Sequence, residues 1–339
     1  MKRSWTALVA HFGSLRTTLA GLALLACGAL AVSTAGTAAV PALAGAMVAL
    51  ALNLGAAVAT QPAFRRQMAL LVFHLALLAL VVLAALGRLT ALDGRFELTQ
   101  GATFDGALVE SAAGRWHRDG LARLELRHEG FEIDYAPGRM RGATRNRVAW
   151  TGDDGRPRAA QIGDHRPLLA GGYRIYTTPN KGYAPVLTWR PDGGEPVTGA
   201  VHLPAYPAHE LRQSREWPLP DGRMLWIQLP IERTPIDPNA HARFALPESH
   251  RLVLRVGERR AELEPGASLA LAGGELVYEE LRTWMGYRVT HDWTLPWMLA
   301  ASLLAAFALA WHATRRVFAG RRAHAAAHRA RLAAGAADA

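Results

Sequence analysis

The sequence predicts a membrane protein in which four transmembrane α-helices, arranged three plus one, carry an all-β antiparallel extracytoplasmic domain. Three observations lead there. Four apolar stretches are long enough to cross a bilayer, the charge is divided unevenly between segments, and two-residue alternation runs through the stretch between the third and fourth crossings. The expected divisions are residues 1–90 for the first three crossings, 91–292 for the β-rich domain, 293–314 for the fourth crossing and 315–339 for a basic cytoplasmic tail.

A spanning helix needs about 20 mostly apolar residues. The first such run extends from Thr17 to about Ala35, the second from about Ala42 to Thr60, the third from Met68 to Gly87 and the fourth from Leu295 to about Ala313. Small residues from Ser33 to Ala39 also suit a cleaved leader, which would leave the rest of the topology unchanged.

Net charge is +10 over 339 residues, which by itself invites a nucleic-acid reading. Residues 91–292, however, hold 26 Lys and Arg against 27 Asp and Glu, so the basic excess lies wholly on the segments flanking the membrane. A nucleic-acid reader would carry its own basic face, so that class is excluded. Arg65 and Arg66 separate the second and third crossings, and Arg315, Arg316, Arg321 and Arg322 follow the fourth. The positive-inside rule then puts both termini in the cytoplasm and residues 91–292 outside. Trp293 and Trp297 at one end of the fourth crossing and Trp311 at the other match an interfacial aromatic belt. Thr294 is placed to cap that helix, with Pro296 in its first turn, and His291 and Asp292 suit a capping role too.

In the outer segment, Leu121–Arg127 alternates, Glu129-Gly130 reads as a turn, and Phe131–Tyr135 resumes the alternation. Tyr173–Tyr176, Val186–Trp189, Met224–Gln228 and Leu252–Val256 continue it, with Gly-Gly pairs at 171–172, 193–194 and 273–274 as punctuation. The single cysteine, Cys27, allows no disulfide, and the absence of CxxC or CxxCH excludes a thiol–disulfide carrier or a c-type cytochrome. There is no nucleophile–base–acid set, no carboxylate pair in an apolar run and no phosphate loop, so an enzyme is not expected.

The chemistry-bearing residues lie in the crossings. His74 sits seven residues past Gln67, roughly 10 Å into the third helix at 1.5 Å per residue. An imidazole there either binds something or serves as packing glue between helices. Asn53 lies seven residues before the end of the second crossing, so an antiparallel pair would bring both to one depth. Asn53 could then hold one ring nitrogen of His74 and leave the other for a metal, or make an unrelated interhelical bond. Arg16, Arg65 and Arg66 at the same end are either topology charges or partners for acidic groups of a ligand. His312 is interfacial in the fourth crossing, and His324 and His328 are spaced to share a metal in a tail that otherwise reads as a segment on anionic lipid.

Several segments together resemble a known family: Gly13-Ser-Leu-Arg-Thr-Thr18, Leu52-Asn-Leu-Gly55, His74 ahead of Gly87-Arg-Leu-Thr90 and Asp93-Gly94, and Arg166-Pro-Leu-Leu-Ala-Gly-Gly-Tyr-Arg-Ile-Tyr176. In their order and in the three-plus-one topology the chain resembles the ResB family, also called CcsB, of system II cytochrome c biogenesis. The resemblance implies a membrane component that acts with a ResC/CcsA-type partner to deliver haem to apocytochrome c, with the histidine at His74 an axial ligand of membrane-embedded haem. The outer domain is shorter than in many members, and the only cysteine is in the membrane. The alternative is a haem-free anchor for a β-domain that binds a protein partner outside.

Overall fold

The computed structural model describes residues 9, 11–35, 40–118, 120–152 and 154–337, and the side chains of these except residues 40, 65, 322–323 and 326–337. The chain forms two compact units: Ala91–His291 is one, and the helical residues before and after it make up the other.

The helical unit contains α1 (Leu15–Ala35), α2 (Val40–Thr60), the short α3 (Pro62–Arg66), α4 (Met68–Thr90) and α5 (Leu295–Ala337). Four of these are long and apolar enough to span a bilayer, over Leu15–Ala35, Pro41–Thr60, Met68–Thr90 and Leu295–Arg321, and the chain is a multi-pass membrane protein. In lipid there is little hydrophobic drive between helices, so they associate through close packing of small residues and interhelical hydrogen bonds. The pair α1–α2 shows this. A Cβ added to Gly13 would come within 2.7 Å of the Ala57 backbone, one on Gly28 within 3.0 Å of the Leu43 backbone, and one on Gly21 within 2.6 Å of the Leu50 side chain. Glycine is therefore what lets the two helices approach. α4 packs along α5. The buried positions of α4 are Ala69, Ala76 and Gly87, and those of α5 include Ala301, Ala305 and Ala308. At the start of α5 the Asp292 carboxylate accepts the Thr294 N–H and hydroxyl, at 2.9 and 2.7 Å. The Thr294 hydroxyl thus turns back to Asp292 and does not cap the first turn directly. The Trp293 indole donates to Thr90 Oγ1 at 2.9 Å, joining the ends of α4 and α5. The residues past the fourth crossing continue α5 as one helix to Ala337.

The other unit is all-β and antiparallel. Its strands are β1 (Leu92–Thr99), β2 (Glu110–Ala113), β3 (Arg127–Ala136), β4 (Met140–Thr151), β5 (Pro157–Ile162), β6 (Leu168–Ala170), β7 (Tyr173–Pro191) and β8 (Val197–Ala200). After these come β9 (Ser214–Pro218), β10 (Met224–Gln228), β11 (Ala242–Arg243), β12 (Leu252–Val256), β13 (Arg259–Leu263), β14 (Ser268–Leu271) and β15 (Gly274–His291). A seven-stranded sheet has the order β2-β1-β15-β7-β6, with β14 beside β15 and β8 beside β7. Two four-stranded sheets, β13-β12-β10-β9 and β11-β3-β4-β5, share its core through residues such as Phe96, Ile133, Val148, Leu225, Leu254 and Tyr287. The long central strands β7 and β15 pair from Gly274↔Pro191 to Thr290↔Arg174, with register shifts at Tyr278/Glu280 and Met285/Tyr287. Such bulges bend a strand so that one ribbon can serve more than one layer.

The Gly-Gly pairs mark turns. Gly273, at φ +81°, closes the β14–β15 hairpin in a conformation only glycine takes without strain. Two local expectations are corrected. Leu121–Leu124 is a 3₁₀ turn, and Glu129-Gly130 is a bulge within β3, because Gly130 at φ +127° absorbs the extra residue while β4 pairs on either side.

At the centre of this core lies a polar triad that ties β3 and β4 to β15. His128 is wholly buried, with Nδ1 3.1 Å from Asn146 Oδ1 and 2.9 Å from the Tyr287 hydroxyl, which accepts from Asn146 Nδ2 at 2.7 Å. Burial lowers the His128 pKa to about 4 from 6.5. With the folded value below the unfolded one, the unfolded chain binds more protons between them, so stability is full above pH 6.5 and is lost as pH falls toward 4. The loss attributable to this residue is about 2 kcal/mol between pH 7 and pH 5. Urea titrations of the full-length protein in detergent at those two pH values, for wild type and His128→Gln, should show a shallower pH dependence in the variant. Equal slopes would remove His128 from the acid response.

Candidate functional site

The site begins with α4, whose run from Met68 to Gly87 is apolar but for one imidazole. His74 is half-buried, and its Nδ1 lies 2.8 Å from the carbonyl oxygen of Leu70, one turn back. A carbonyl only accepts, so Nδ1 carries the proton and donates, and Nε2 keeps its lone pair. Among the described residues Nε2 has no hydrogen-bond partner. This is the tautomer that a metal-binding histidine takes when its second nitrogen is held by a carbonyl. Two aromatic rings meet the imidazole edge-on: Phe64 at 4.8 Å and Phe73 at 5.2 Å between centroids. Phe64 belongs to α3, so the short helix folds back on α4 and brings the Arg65–Arg66 backbone to the His74 end of the bundle.

Asn53 is elsewhere engaged, and the expected bond between it and His74 is corrected. Asn53 is 3% exposed. Its Oδ1 accepts from Thr18 Oγ1 at 2.8 Å, while Nδ2 donates to the carbonyls of Phe12 and, at 3.4 Å, Ser14. These groups lie on or just before α1. Equal distance from a loop fixes depth in the membrane, but azimuth is set at about 100° per residue, and Asn53 faces α1. Its role follows from solvent. Carbonyls of Phe12 and Ser14 sit at a break just ahead of α1, and in a bilayer such groups must be satisfied from within the protein. Ser14 completes the joint as the N-cap of α1, its Oγ receiving the Thr17 N–H at 3.4 Å. The paired motifs Gly13–Thr18 and Leu52–Gly55 are thus the two halves of one α1–α2 clamp.

Arg16 and Arg66 are exposed, and neither makes an ion pair among the described residues. The Arg65 side chain lies outside the described residues. His312 is half-buried on α5, with no described contact to His74, and the side chain of His328 is also outside the described set, so the His324–His328 pairing is not placed.

Of the histidines of the β-domain, sequence reasoning weighed only His291, as a capping residue; the structure puts it at the end of β15. His202 is saturated: Nδ1 meets Glu97 Oε2 at 2.8 Å, Nε2 meets Thr99 Oγ1 at 2.9 Å, and the ring stacks on Trp284 at 5.1 Å. His250 uses both nitrogens, on the Pro247 carbonyl and the Tyr278 hydroxyl. Three histidines combine a bonded Nδ1 with an Nε2 lacking a partner among the described residues: His74, His128 and His291. His128 is sealed in the core, so His74 in the helical unit and His291 in the β-unit are the two open to a ligand. No group of three His, Cys, Asp or Glu side chains converges among the described residues.

Comparison with known proteins gives one result at the level of family. The model of the ResB-like family matches residues 35–338, nearly the whole chain, and includes Asn53, Arg65, Arg66 and His74 but not Arg16. No curated protein matches the chain.

Proposed function

The chain belongs to the ResB-like family, which is associated with cytochrome c biogenesis, and on that premise we propose that it is a membrane component of haem delivery for c-type cytochrome maturation. In this reading it works beside a ResC/CcsA-type membrane partner, with residues 91–291 on the periplasmic side of a bacterial inner membrane. It acts as a haem-handling scaffold, and bond formation to apocytochrome c belongs to the partner.

The observation that carries the reading is the His74 tautomer. Leu70 holds Nδ1, leaving a lone pair on Nε2 within a helix that is otherwise apolar from Met68 to Gly87. An ionisable residue at that depth is costly unless it serves a ligand or a neighbour, and iron takes a neutral imidazole nitrogen. The residues present therefore fit a haem with His74 as one axial ligand. Arg16 and Arg66 are cations suited to propionates. Bound haem would supply the iron-porphyrin cargo itself. What this chain's residues do is hold the imidazole in one tautomer, exclude water with Phe64 and Phe73, and keep the anchoring helices in register through Asn53.

The test is deletion and complementation in a host that matures c-type cytochromes by this route. Loss of the protein should leave exported apocytochrome without covalent haem, and the wild-type chain should restore it. Normal haem attachment in the deletion strain would refute the reading and favour the haem-free anchor.

A further inference from the structure

The second open histidine lies in a cluster that haem handling in the membrane does not use. His291 ends β15, and its Nδ1 is 2.9 Å from the Gly172 carbonyl, so the proton is there and Nε2 holds the lone pair. Gly172, at φ +80°, suits glycine, and a Cβ there would press on the His291 ring at 3.3 Å. The fold thus presses the turn before β7 against this imidazole. Next to it stand His117, at 5.4 Å between ring centroids, and Tyr173, at 5.0 Å. The Tyr173 hydroxyl closes the triangle at 3.3 Å from His117 Nε2.

These distances match a metal site. With metal–nitrogen bonds of about 2.0–2.1 Å and tetrahedral angles, two ligand atoms lie roughly 3.3 Å apart and two imidazole centres roughly 5 Å apart. The 3.3 Å gap is long for a hydrogen bond to a hydroxyl, but it suits two ligands of one ion. The Gly120 N–H donates to the Tyr173 oxygen at 3.2 Å, and the hydroxyl donates to the Arg118 carbonyl at 3.4 Å, a long bond that a metal-bound phenolate would give up. Both histidines are half-buried, so an ion could reach them. Arg115 and Arg118 flank His117 in sequence but are exposed and screened by water.

We infer that His117 Nε2, Tyr173 Oη and His291 Nε2 form a site for a transition-metal ion that prefers imidazole, of the Cu²⁺ or Zn²⁺ class, with a water as fourth ligand. Two imidazole centres 5.4 Å apart suit ligation of a single free ion. Occupancy would pin the segment after β2 to the start of β7 and the end of β15. The inference is independent of haem handling at His74.

Copper is the probe. Full-length protein in detergent, stripped with chelator, is titrated with Cu²⁺, and Zn²⁺ is used as competitor. The wild type should bind Cu²⁺ with a phenolate-to-copper charge-transfer band, and Tyr173→Phe should lose that band. His117→Gln and His291→Gln should each weaken binding by more than the roughly 10–100-fold that loss of a supporting hydrogen bond costs. Near-UV circular dichroism checks folding, and should Tyr173→Phe not fold, the two histidine variants decide alone. Copper affinity unchanged in both histidine variants would overturn the assignment. So would haemin binding that depends on His291 in a protein that takes neither free ion there.

Discussion

His74→Ala is expected to abolish haem retention by the membrane complex and to stop cytochrome c maturation, while protein abundance stays near the wild-type level. Among the described residues the variant removes a side chain whose one hydrogen bond is to the carbonyl of its own helix, four residues back, so no interhelical bond is lost there. What disappears is the Nε2 lone pair. Added imidazole should partly restore haem content and maturation by entering the vacated space as a free ligand. A structural role predicts the reverse pattern, with reduced abundance and no response to imidazole. Haem content and haem-stained cytochrome, normalised to immunoblotted protein, separate the two.

Asn53→Leu should act by a different route. It deletes one acceptor for the Thr18 hydroxyl and the donor to the Phe12 and Ser14 carbonyls. The Ser14 carbonyl keeps the Thr18 N–H at 3.1 Å and the Thr18 hydroxyl at 3.2 Å, so the Phe12 carbonyl bears the larger loss in an apolar medium. Interhelical hydrogen bonds in membranes average about 0.6 and reach about 1.7 kcal/mol, so the three together should cost about 1–3 kcal/mol. The expected result is a looser α1–α2 pair, seen as faster protease cleavage and lower abundance, with haem loss only in proportion to protein loss. Haem loss at full abundance, with α1–α2 intact, would return Asn53 to the immediate support of the His74 ligand.

The architecture was largely legible in the sequence, for physical reasons. Crossings announce themselves because a bilayer demands about 20 apolar residues. Met224–Gln228 falls where alternation puts it because one face packs on the core, while Leu252–Leu254 is buried on both faces. His74 stood out because an imidazole is foreign to lipid. Its support was misread because depth along a helix is a one-dimensional quantity while contact also needs azimuth, and no periodicity told that Asn53 faces Thr18. The clustering of the β-domain histidines was invisible for a related reason. His117, Tyr173 and His291 meet only through the pairing of β7 with β15 and the turn at Gly172, contacts between residues 56 or more apart that no local pattern encodes. The glycine pair at 171–172 was read as a turn, which it is; that it also makes room for His291 required the register.

The central claim is that this membrane protein carries haem through His74. The most direct measurement is the visible spectrum of the full-length wild-type protein purified from membranes with its co-expressed ResC/CcsA-type partner, set beside that of the His74→Ala complex prepared in parallel. The account predicts a low-spin haem spectrum at near-stoichiometric occupancy in the wild type, and loss of that spectrum in the variant until imidazole is added. Full occupancy with an unchanged low-spin spectrum in His74→Ala would contradict it.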